Sequence, residues 1–344
     1  MKFKKLVSLG LSVVVGASML VGCSTKSVEE NTAAQTSDIK IGMVADVGGI
    51  NDESFNQSAW EGLQQAQKDF GIEIKVIESK QASEYLPNME SLLDEDVDMV
   101  IGVGYTMKED IQTQAQNYPD KQFVLIDETY DEIPSNVTPV LFRENEAAYL
   151  TGLIAGRMTE TKNVGFIGGI QTPVVSRFEY GYKAGVKEAN ENANVSVQYA
   201  GTFSDAAKGK SIANQMYGNG SDIILSAAGG TGLGAIESAK EQNKYAIGVD
   251  RDQSDLAPEN VLTSALKKVN VGVYDTVKEF VEGKLKGGVE KVYGLKEDGV
   301  GIPETTKNLV PQEIIDYVNS MIEKIKNDEI KVPATEEEYK AMQK

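Results

Sequence analysis

The chain has 344 residues, enough for two lobes that each bury a hydrophobic core, and its 41% hydrophobic and 25% charged residues are ordinary for a globular protein. Its 34 Lys and Arg residues against 52 Asp and Glu residues give a net charge of −18, which would repel a nucleic-acid backbone. The sequence contains no histidine and one cysteine, which excludes Ser-His-Asp and Cys-His nucleophiles, histidine-ligated zinc and internal disulfides.

The N-terminus has the pattern of an exported lipoprotein. The basic segment MKFKK precedes a short apolar stretch, and LVGC at residues 20–23 is similar to a lipobox, in which a signal peptide is removed before a lipid-modified cysteine. We therefore predict a signal peptide over residues 1–22, a lipid anchor on Cys23 and a flexible, small and polar tether over residues 23–38. A buried free cysteine is the alternative. The prediction places the protein on the extracytoplasmic face of the cell membrane.

From Ile39 onward, short β-branched segments alternate with helical patterns of roughly ten to twenty residues. Five candidate strands come first: IKIGMVA, IEIKVIE, VDMVIGVG, QFVLID and VTPVLF. After the helical segment NEAAYLTGLIAGRM, five more follow: NVGFIGG, VSVQYAG, DIILSAA, YAIGVD and VLTSAL. Repeated strand–helix alternation predicts parallel sheets with right-handed crossovers. Since the pattern occurs twice, we predict an α/β fold with two doubly wound lobes.

Neither lobe is predicted to be continuous in sequence. We assign residues 39–142 and about 268–286 to the first lobe, because the helical segment near Val269 fits a return to it. Residues 143–264 and about 290–332 are assigned to the second lobe, and the charged residues 333–344 to a C-terminal tail that is expected to fray.

Open α/β sheets bind ligands beyond the carboxyl ends of their strands. If the two lobes face each other across a cleft, the residues at these ends converge on one site, and several of them are polar or glycine, as a ligand site requires. The strand ends carry Asp46, Tyr105, Asp127, Gly168, Gly169, Gly229, Gly230 and Asp250.

The turn after the first strand, DVGGINDESFN, begins at Asp46. A buried carboxylate at that strand end needs hydrogen-bond donors, which a ligand would supply. Asn51 and Asp52 can instead cap the helix that follows. Phosphate is an unsuitable ligand for this turn because its charged side chains are acidic.

Phe55 follows the first strand, and Phe178 follows the sixth at an equivalent place in the second lobe. Two aromatic residues at equivalent places favour a sandwich around a flat ring, because both faces of the ring are then removed from water. Phenylalanine in a first helical turn more often belongs to the core, and this alternative stays open.

In the second lobe, Gly230, Gly232 and Ala235 fit the dinucleotide pattern G-x-G-x-x-A, and Asp250 follows about twenty residues later. A dehydrogenase is disfavoured because the motif lies deep in the second lobe, the chain is exported and histidine is missing for proton transfer. A glycine turn beside a carboxylate still suits a vicinal diol, so we predict that Asp250 binds ribose.

Lys267 and Lys268 follow the strand VLTSAL. A solvated pair is the ordinary interpretation of two adjacent lysines. Their place beside a strand end favours one of them pointing into the cleft.

Taken together, the motifs IGMVADVGGINDESFNQSAWEG, VVSRFEYGYKAG, AAGGTGLGAI, IGVDRDQ and VLTSALKKV resemble the basic membrane protein family of nucleoside-binding lipoproteins, which includes purine nucleoside receptors of ABC transporters. The resemblance covers Ile39 to about Val332. It implies a type I periplasmic-binding-protein fold, three strands crossing a hinge, and a nucleoside closed between the lobes. Matched position by position, it implies ligand contacts from Asp46, Asn51, Phe55, Asp127, Phe178, Gly230, Asp250 and Lys267.

The resemblance also implies roles for these residues. Phe55 and Phe178 match the aromatics that stack on the base, while Asp46 and Asn51 fall in the motif associated with the base edge. The ribose positions are Asp250 and Lys267, the main-chain contact is Gly230, and Asp127 is a further cleft residue. The sequence departs from the family in having Glu53 where lysine is frequent, and Arg251 stands at a variable position.

We predict a membrane-anchored solute-binding lipoprotein that captures nucleosides of the inosine, guanosine or adenosine class and delivers them to an ABC permease with its ATPase. The protein is expected to be a monomer without enzymatic activity, cofactor, metal or nucleic-acid partner. The alternatives are a sugar-binding or signal-binding protein of the same fold, a cofactor-dependent enzyme, and an adhesin or immunogenic surface protein.

Overall fold

The computed structural model describes residues 38–343, so the predicted signal peptide, Cys23 and most of the tether lie outside the described residues. The strands are β1 (Lys40–Ala45), β2 (Glu73–Glu78), β3 (Met99–Val103), β4 (Gln122–Ile126), β5 (Val137–Phe142), β6 (Asn163–Gly168), β7 (Asn194–Tyr199), β8 (Ile223–Ala227), β9 (Tyr245–Asp250), β10 (Val261–Lys267), β11 (Lys291–Tyr293) and β12 (Val300–Gly301). The helices are α1 (Phe55–Phe70), α2 (Tyr85–Asp94), α3 (Lys108–Asn117), α4 (Glu144–Met158), α5 (Pro173–Ala189), α6 (Ala206–Gly218), α7 (Gly230–Gln242), α8 (Val269–Val281), α9 (Gln312–Lys326) and α10 (Glu336–Met342).

The strands form two six-stranded sheets with orders β11-β5-β4-β3-β1-β2 and β12-β10-β9-β8-β6-β7. In the described part of the chain, all strand pairs are parallel except β10 with β12. The ten predicted strands are confirmed. Every residue of the central strands β3 and β8 is buried, because helices cover both faces of a doubly wound sheet. The edge strands β2 and β7 are only partly buried.

The chain passes between the sheets after β5, after β10 and after β11, since β11 belongs to the first sheet and β12 to the second. Helix α8 returns to the first lobe and packs against α1 at Gly62, where a Cβ atom would lie 2.3 Å from the carbonyl oxygen of Asn270. The amide of Asn270 donates to Ser58 of α1 at 3.1 Å. This close contact explains why a glycine interrupts the apolar side of α1.

Two boundary assignments change. Residues 291–293 pair in parallel with β5, so this part of the segment assigned from about residue 290 to the second lobe belongs to the first sheet. The C-terminal tail, which was expected to fray, forms α10, whose Tyr339 ring lies 6.0 Å from that of Tyr180 in α5. Thr335 caps this helix by accepting a hydrogen bond from the amide of Glu338.

The core joins both sheets through α4, whose residues 144–156 are all buried. Helix α5 approaches α4 so closely that a Cβ atom on Gly185 would lie 2.0 Å from the carbonyl oxygen of Tyr149. Within residues 38–343, no helix combines the length and the apolar character that a membrane span requires. Residues at the carboxyl ends of strands from both sheets line one cavity, so the fold brings these ends to a common region.

Candidate ligand-binding site

A cavity of about 660 Å³, its opening included, lies between the strand ends of the two lobes. Seven of the eight predicted contact residues line it: Asp46, Phe55, Asp127, Phe178, Gly230, Asp250 and Lys267. Of the strand-end residues, Asp46, Tyr105, Asp127, Gly229, Gly230 and Asp250 line the cavity, whereas Gly168 and Gly169 do not.

Asp46 leaves the end of β1 and is fixed by its neighbours. Its Oδ1 accepts hydrogen bonds from the amide of Gly48 and from Nδ2 of Asn56, both at 2.8 Å. Burial raises the pKa of Asp46 to about 6, and the charges of Asp52 and Asp127 add to this rise, while the bonds from Gly48 and Asn56 oppose it. The carboxyl group is thus held in place, and its pKa of about 6 means that it ionises just below neutral pH.

The turn before α1 does not place Asn51 in the cleft. Asn51 is exposed and is not among the cavity-lining residues, whereas Asn56, in the first turn of α1, lines the cavity. Asp52 also lines it, but its carboxylate accepts from the amides of Ser54 at 3.0 Å, Asn56 at 2.9 Å and Gln57 at 3.1 Å. Asp52 therefore holds the start of α1, as a capping residue does, and Asn56 occupies the position expected of Asn51.

Three phenylalanines line the cavity. Phe55 begins α1 and is partly buried, Phe178 in α5 is 3% exposed, and Phe203 lies between β7 and α6 and is partly exposed. Phe203 was missed because the end of β7 was not included among the strand ends, although the same rule finds it. Its ring packs against Gly169, where a Cβ atom would lie 2.2 Å from the ring.

The glycine motif of the second lobe forms the expected strand–turn–helix unit. Gly229 has a φ of +53°, which glycine tolerates, and α7 begins at Gly230. The amide of Thr231 donates to the carbonyl oxygen of Phe203 at 3.0 Å, so the helix start is tied to the aromatic wall. The first turn of α7 faces the cavity with its partial positive charge, while Asp250 ends the neighbouring strand β9.

Of the two adjacent lysines, Lys267 is the cleft residue. It is 2% exposed, forms an ion pair with Asp127, and its ammonium nitrogen lies 4.4 Å from the centroid of the Phe55 ring. Lys268 instead pairs with the exposed Asp298 at 2.7 Å. The ammonium group of Lys267 therefore fixes an aromatic residue and a carboxylate of the first lobe from a strand of the second.

Burial by itself lowers the pKa of Lys267, but the carboxylates of Asp127, Glu144 and Asp250 outweigh burial and raise it. Lys267 is therefore charged at neutral pH. Glu144 was missed by the sequence analysis; it is fully buried at the start of α4, 3.9 Å from Lys267, and accepts from Nε of Arg177 at 2.7 Å. The sequence does not distinguish a buried carboxylate in the first turn of a helix from an exposed one.

Asp250 joins the lobes through a hydrogen bond from the Ser54 hydroxyl. Burial raises the pKa of Asp250 to about 6, against the lowering effect of Lys267 and Ser54. Among residues 38–343, no group donates a hydrogen bond to the buried Oδ1 of Asp127. Such an acceptor is costly unless a ligand donates to it, so the carboxylates suit a ligand rich in hydroxyl groups. In residues 38–343, no group of three or more acidic or cysteine side chains is arranged to hold a metal ion.

The comparison with known families identifies the family of the chain. Residues 39–336 match the model of the Bmp family, described as ABC transporter substrate-binding protein PnrA-like. The chain belongs to the Bmp family. The members are substrate-binding proteins of ABC transporters and not enzymes. The predicted resemblance and the type I periplasmic-binding-protein fold are thereby confirmed.

Several known proteins resemble this Bmp-family chain over nearly its whole length. The CD4+ T-cell-stimulating antigen of Listeria innocua is 37% identical over 96% of this chain and 99% of its own. The ABC transporter nucleoside-binding protein BmpA of Lactococcus lactis is 36% identical over 87% of this chain and 91% of its own. A crystal structure of an ABC transporter solute-binding protein from Aeropyrum pernix K1 has a TM-score of 0.81 and 26% identity, covering 88% of this chain and 96% of that one.

Proposed function

We propose that this Bmp-family protein binds purine nucleosides between its lobes and delivers them to an ABC permease. The observation that carries the proposal is the composition of the cavity, which combines phenylalanine rings with a carboxylate–lysine cluster contributed by both lobes. A nucleoside has the matching parts, because its base offers flat apolar faces and its ribose offers hydroxyl groups. The nucleoside-binding relative from Lactococcus lactis supports the same ligand class.

In this proposal the ribose lies against Asp127, Asp250 and Lys267. The unpartnered Oδ1 of Asp127 accepts from one hydroxyl group, and Asp250 accepts from another. Lys267 donates to a hydroxyl oxygen while its positive charge stabilises the nearby carboxylates. Each hydrogen bond to a charged group in a buried site contributes about 1.5–3 kcal/mol.

The base is proposed to stack on Phe55 from the first lobe and on Phe178 or Phe203 from the second. Phe203 is favoured as the second face because it is more accessible than the buried Phe178. Asp46 then binds polar atoms of the base edge, while Asn56, whose side-chain amide bonds to Asp46 and Asp52, holds that carboxylate in place. A carboxyl group whose pKa is raised to about 6 can accept from a ring N–H when ionised or donate to a ring nitrogen when protonated.

We also propose that Cys23 carries a lipid anchor that holds the protein on the outer face of the membrane. The signal-like residues 1–22 and the polar tether support this proposal. Cell fractionation combined with a mass measurement tests it: the wild-type protein is expected in the membrane fraction in its processed form, and the Cys23→Ser variant as the unprocessed precursor or as released protein. A variant that is processed and retained in the membrane like the wild type would contradict the anchor.

Mass spectrometry of small molecules that copurify with the protein tests the ligand class. A purine nucleoside at close to one molecule per chain is the expected result, because closure between two lobes slows release during purification. A free pentose would favour the sugar-binding alternative, since the carboxylate–lysine cluster could bind hydroxyl groups without a base. Copurified NAD would instead contradict a free nucleoside as the ligand.

A further inference from the structure

An arginine at the rim of the cleft connects the two lobes. Arg251 follows β9 in the second lobe, and its two terminal nitrogens donate to different carboxylates of the first lobe. One bond reaches Glu53 Oε2 at 2.7 Å, before α1, and the other reaches Glu61 Oε1 at 2.8 Å, within α1. The three side chains are 25%, 45% and 41% exposed, so they form a partly solvated network.

The backbone beneath this network is also tied across the lobes. Nε2 of Gln253 donates to the carbonyl oxygen of Glu53 at 2.8 Å. Gln253 is 5% exposed and is itself fixed, because its Oε1 accepts from the amide of Val249 at 3.0 Å and its amide donates to Ser264 Oγ at 3.1 Å. Glu53 has a φ of +51°, an unfavourable value for a residue with a side chain. Its conformation is therefore held by contacts, including those to the opposite lobe.

We propose that Arg251, Glu53 and Glu61 form a rim clasp that retains a bound nucleoside by holding the lobes closed. The proposal rests on the proposed function. None of the three residues is among those that line the cavity, so they are positioning residues that act through the closed arrangement of the lobes.

The clasp affects the rate at which the nucleoside dissociates rather than the rate at which it associates. Its bonds join two lobes and form only when the rim residues meet, so they stabilise the closed complex and contribute nothing to an open one. A partly exposed ion pair is weak by itself, but one guanidinium that binds two carboxylates orders three side chains together. The dissociation rate should therefore rise when the clasp is broken, with little change in the association rate.

The decisive variant is Glu61→Gln, because Glu61 is remote from the cavity lining and the substitution keeps the side-chain shape. Dissociation of radiolabelled inosine is measured during a chase with unlabelled inosine, for the wild type, Glu61→Gln, Arg251→Ala and the double variant. Each single variant is expected to release inosine roughly three- to tenfold faster, with the association rate unchanged within about twofold. The double variant should release it no faster than Arg251→Ala, and salt near 1 M should reduce the difference.

The matched control is Glu241→Gln. Lys210 binds Glu237 at 3.0 Å and Glu241 at 2.9 Å, so it repeats the pattern of one cation and two carboxylates within the second lobe. This control is expected to leave the dissociation rate unchanged. An unchanged rate in Glu61→Gln, or an equal increase in Glu241→Gln, would overturn the clasp. If the wild type binds none of inosine, guanosine and adenosine, the proposed function falls; if it binds one of them but Glu61→Gln releases that nucleoside at the wild-type rate, only the clasp falls.

Discussion

The two lobes have the same strand order but contribute different chemistry to the cleft. Asp127 follows β4, and Asp250 ends β9, the equivalent strand of the second sheet. Both have positive φ values, +75° and +64°, in the left-handed region that aspartate tolerates better than most side chains. The strands beside them end in different residues, Phe142 in β5 and Lys267 in β10. The shared topology thus presents two similar carboxylates to a single lysine.

The difference continues at the first strand of each lobe. Asp46 follows β1, whereas Gly169 follows β6 and leaves space for the ring of Phe203. The first lobe therefore supplies most of the carboxylates, and the second supplies a glycine turn, the lysine and an additional aromatic surface. Topology determines where ligand-binding residues stand, while the side chains at equivalent places determine what each lobe binds.

Removing the lysine that joins the lobes should have the largest effect. Lys267→Met leaves Asp127, Glu144 and Asp250 without their shared ammonium group. Breaking a buried ion pair costs about 3–5 kcal/mol, so we expect a loss of this size in the free energy of unfolding, measured in urea, together with loss of inosine binding. Lys268→Met is the control, because its partner Asp298 is exposed. A loss below about 1 kcal/mol for Lys267→Met would contradict the role of the ammonium group.

Substitutions of two cleft carboxylates should have different effects, one mainly on ligand affinity and the other mainly on the free energy of unfolding. Asp250→Ala removes a proposed ribose contact and should weaken inosine binding by roughly 30- to 100-fold, measured by calorimetry. Asp52→Ala instead removes the acceptor for three amides at the start of α1. Its unfolding free energy should fall by about 1–2 kcal/mol with a smaller change in affinity. Equal losses of affinity in the two variants would refute the assignment of Asp250 to ligand binding and of Asp52 to the stability of α1.

The aromatic wall of the second lobe provides a finer test. Phe203→Ala should weaken inosine binding by about 1–2 kcal/mol, as expected for the loss of a stacking surface, and should leave the affinity for free ribose unchanged. Phe178→Ala should mainly lower the unfolding free energy, since Phe178 is 3% exposed. The reverse pattern would assign the stacking role to Phe178.

The smallest expected effect concerns pH. The pKa of Asp46 is raised from 3.8 to about 6, so the folded protein holds this proton more tightly than the unfolded chain, and its ionisation lowers stability as pH rises through that window. Asp46→Asn removes this loss. The variant should be more stable than the wild type by about 1 kcal/mol at pH 8 and of similar stability near pH 4, as measured by urea unfolding. A stability difference independent of pH would contradict the raised pKa.

The sequence predicted ten of the twelve strands that residues 38–343 form, because strand periodicity is a local signal. Seven cavity residues were predicted from strand ends, from equivalent aromatic positions and from the family resemblance. The sequence could not distinguish Asn51 from Asn56, since both stand near the helix start and only the path of the turn exposes one of them. Glu144 was missed because its burial arises from packing between α4 and α5, which are distant in sequence from Lys267. The short β11 was assigned to the wrong lobe, since three residues carry too little pattern to identify their sheet.

Binding of a purine nucleoside by the two lobes together can be measured by titration calorimetry. The protein is first freed of ligand by unfolding and refolding, and inosine, guanosine, adenosine, cytidine and ribose are the titrants. We expect one site per chain for at least one purine nucleoside and much weaker binding of ribose. Heat from ribose alone, or no heat from any nucleoside, would contradict it.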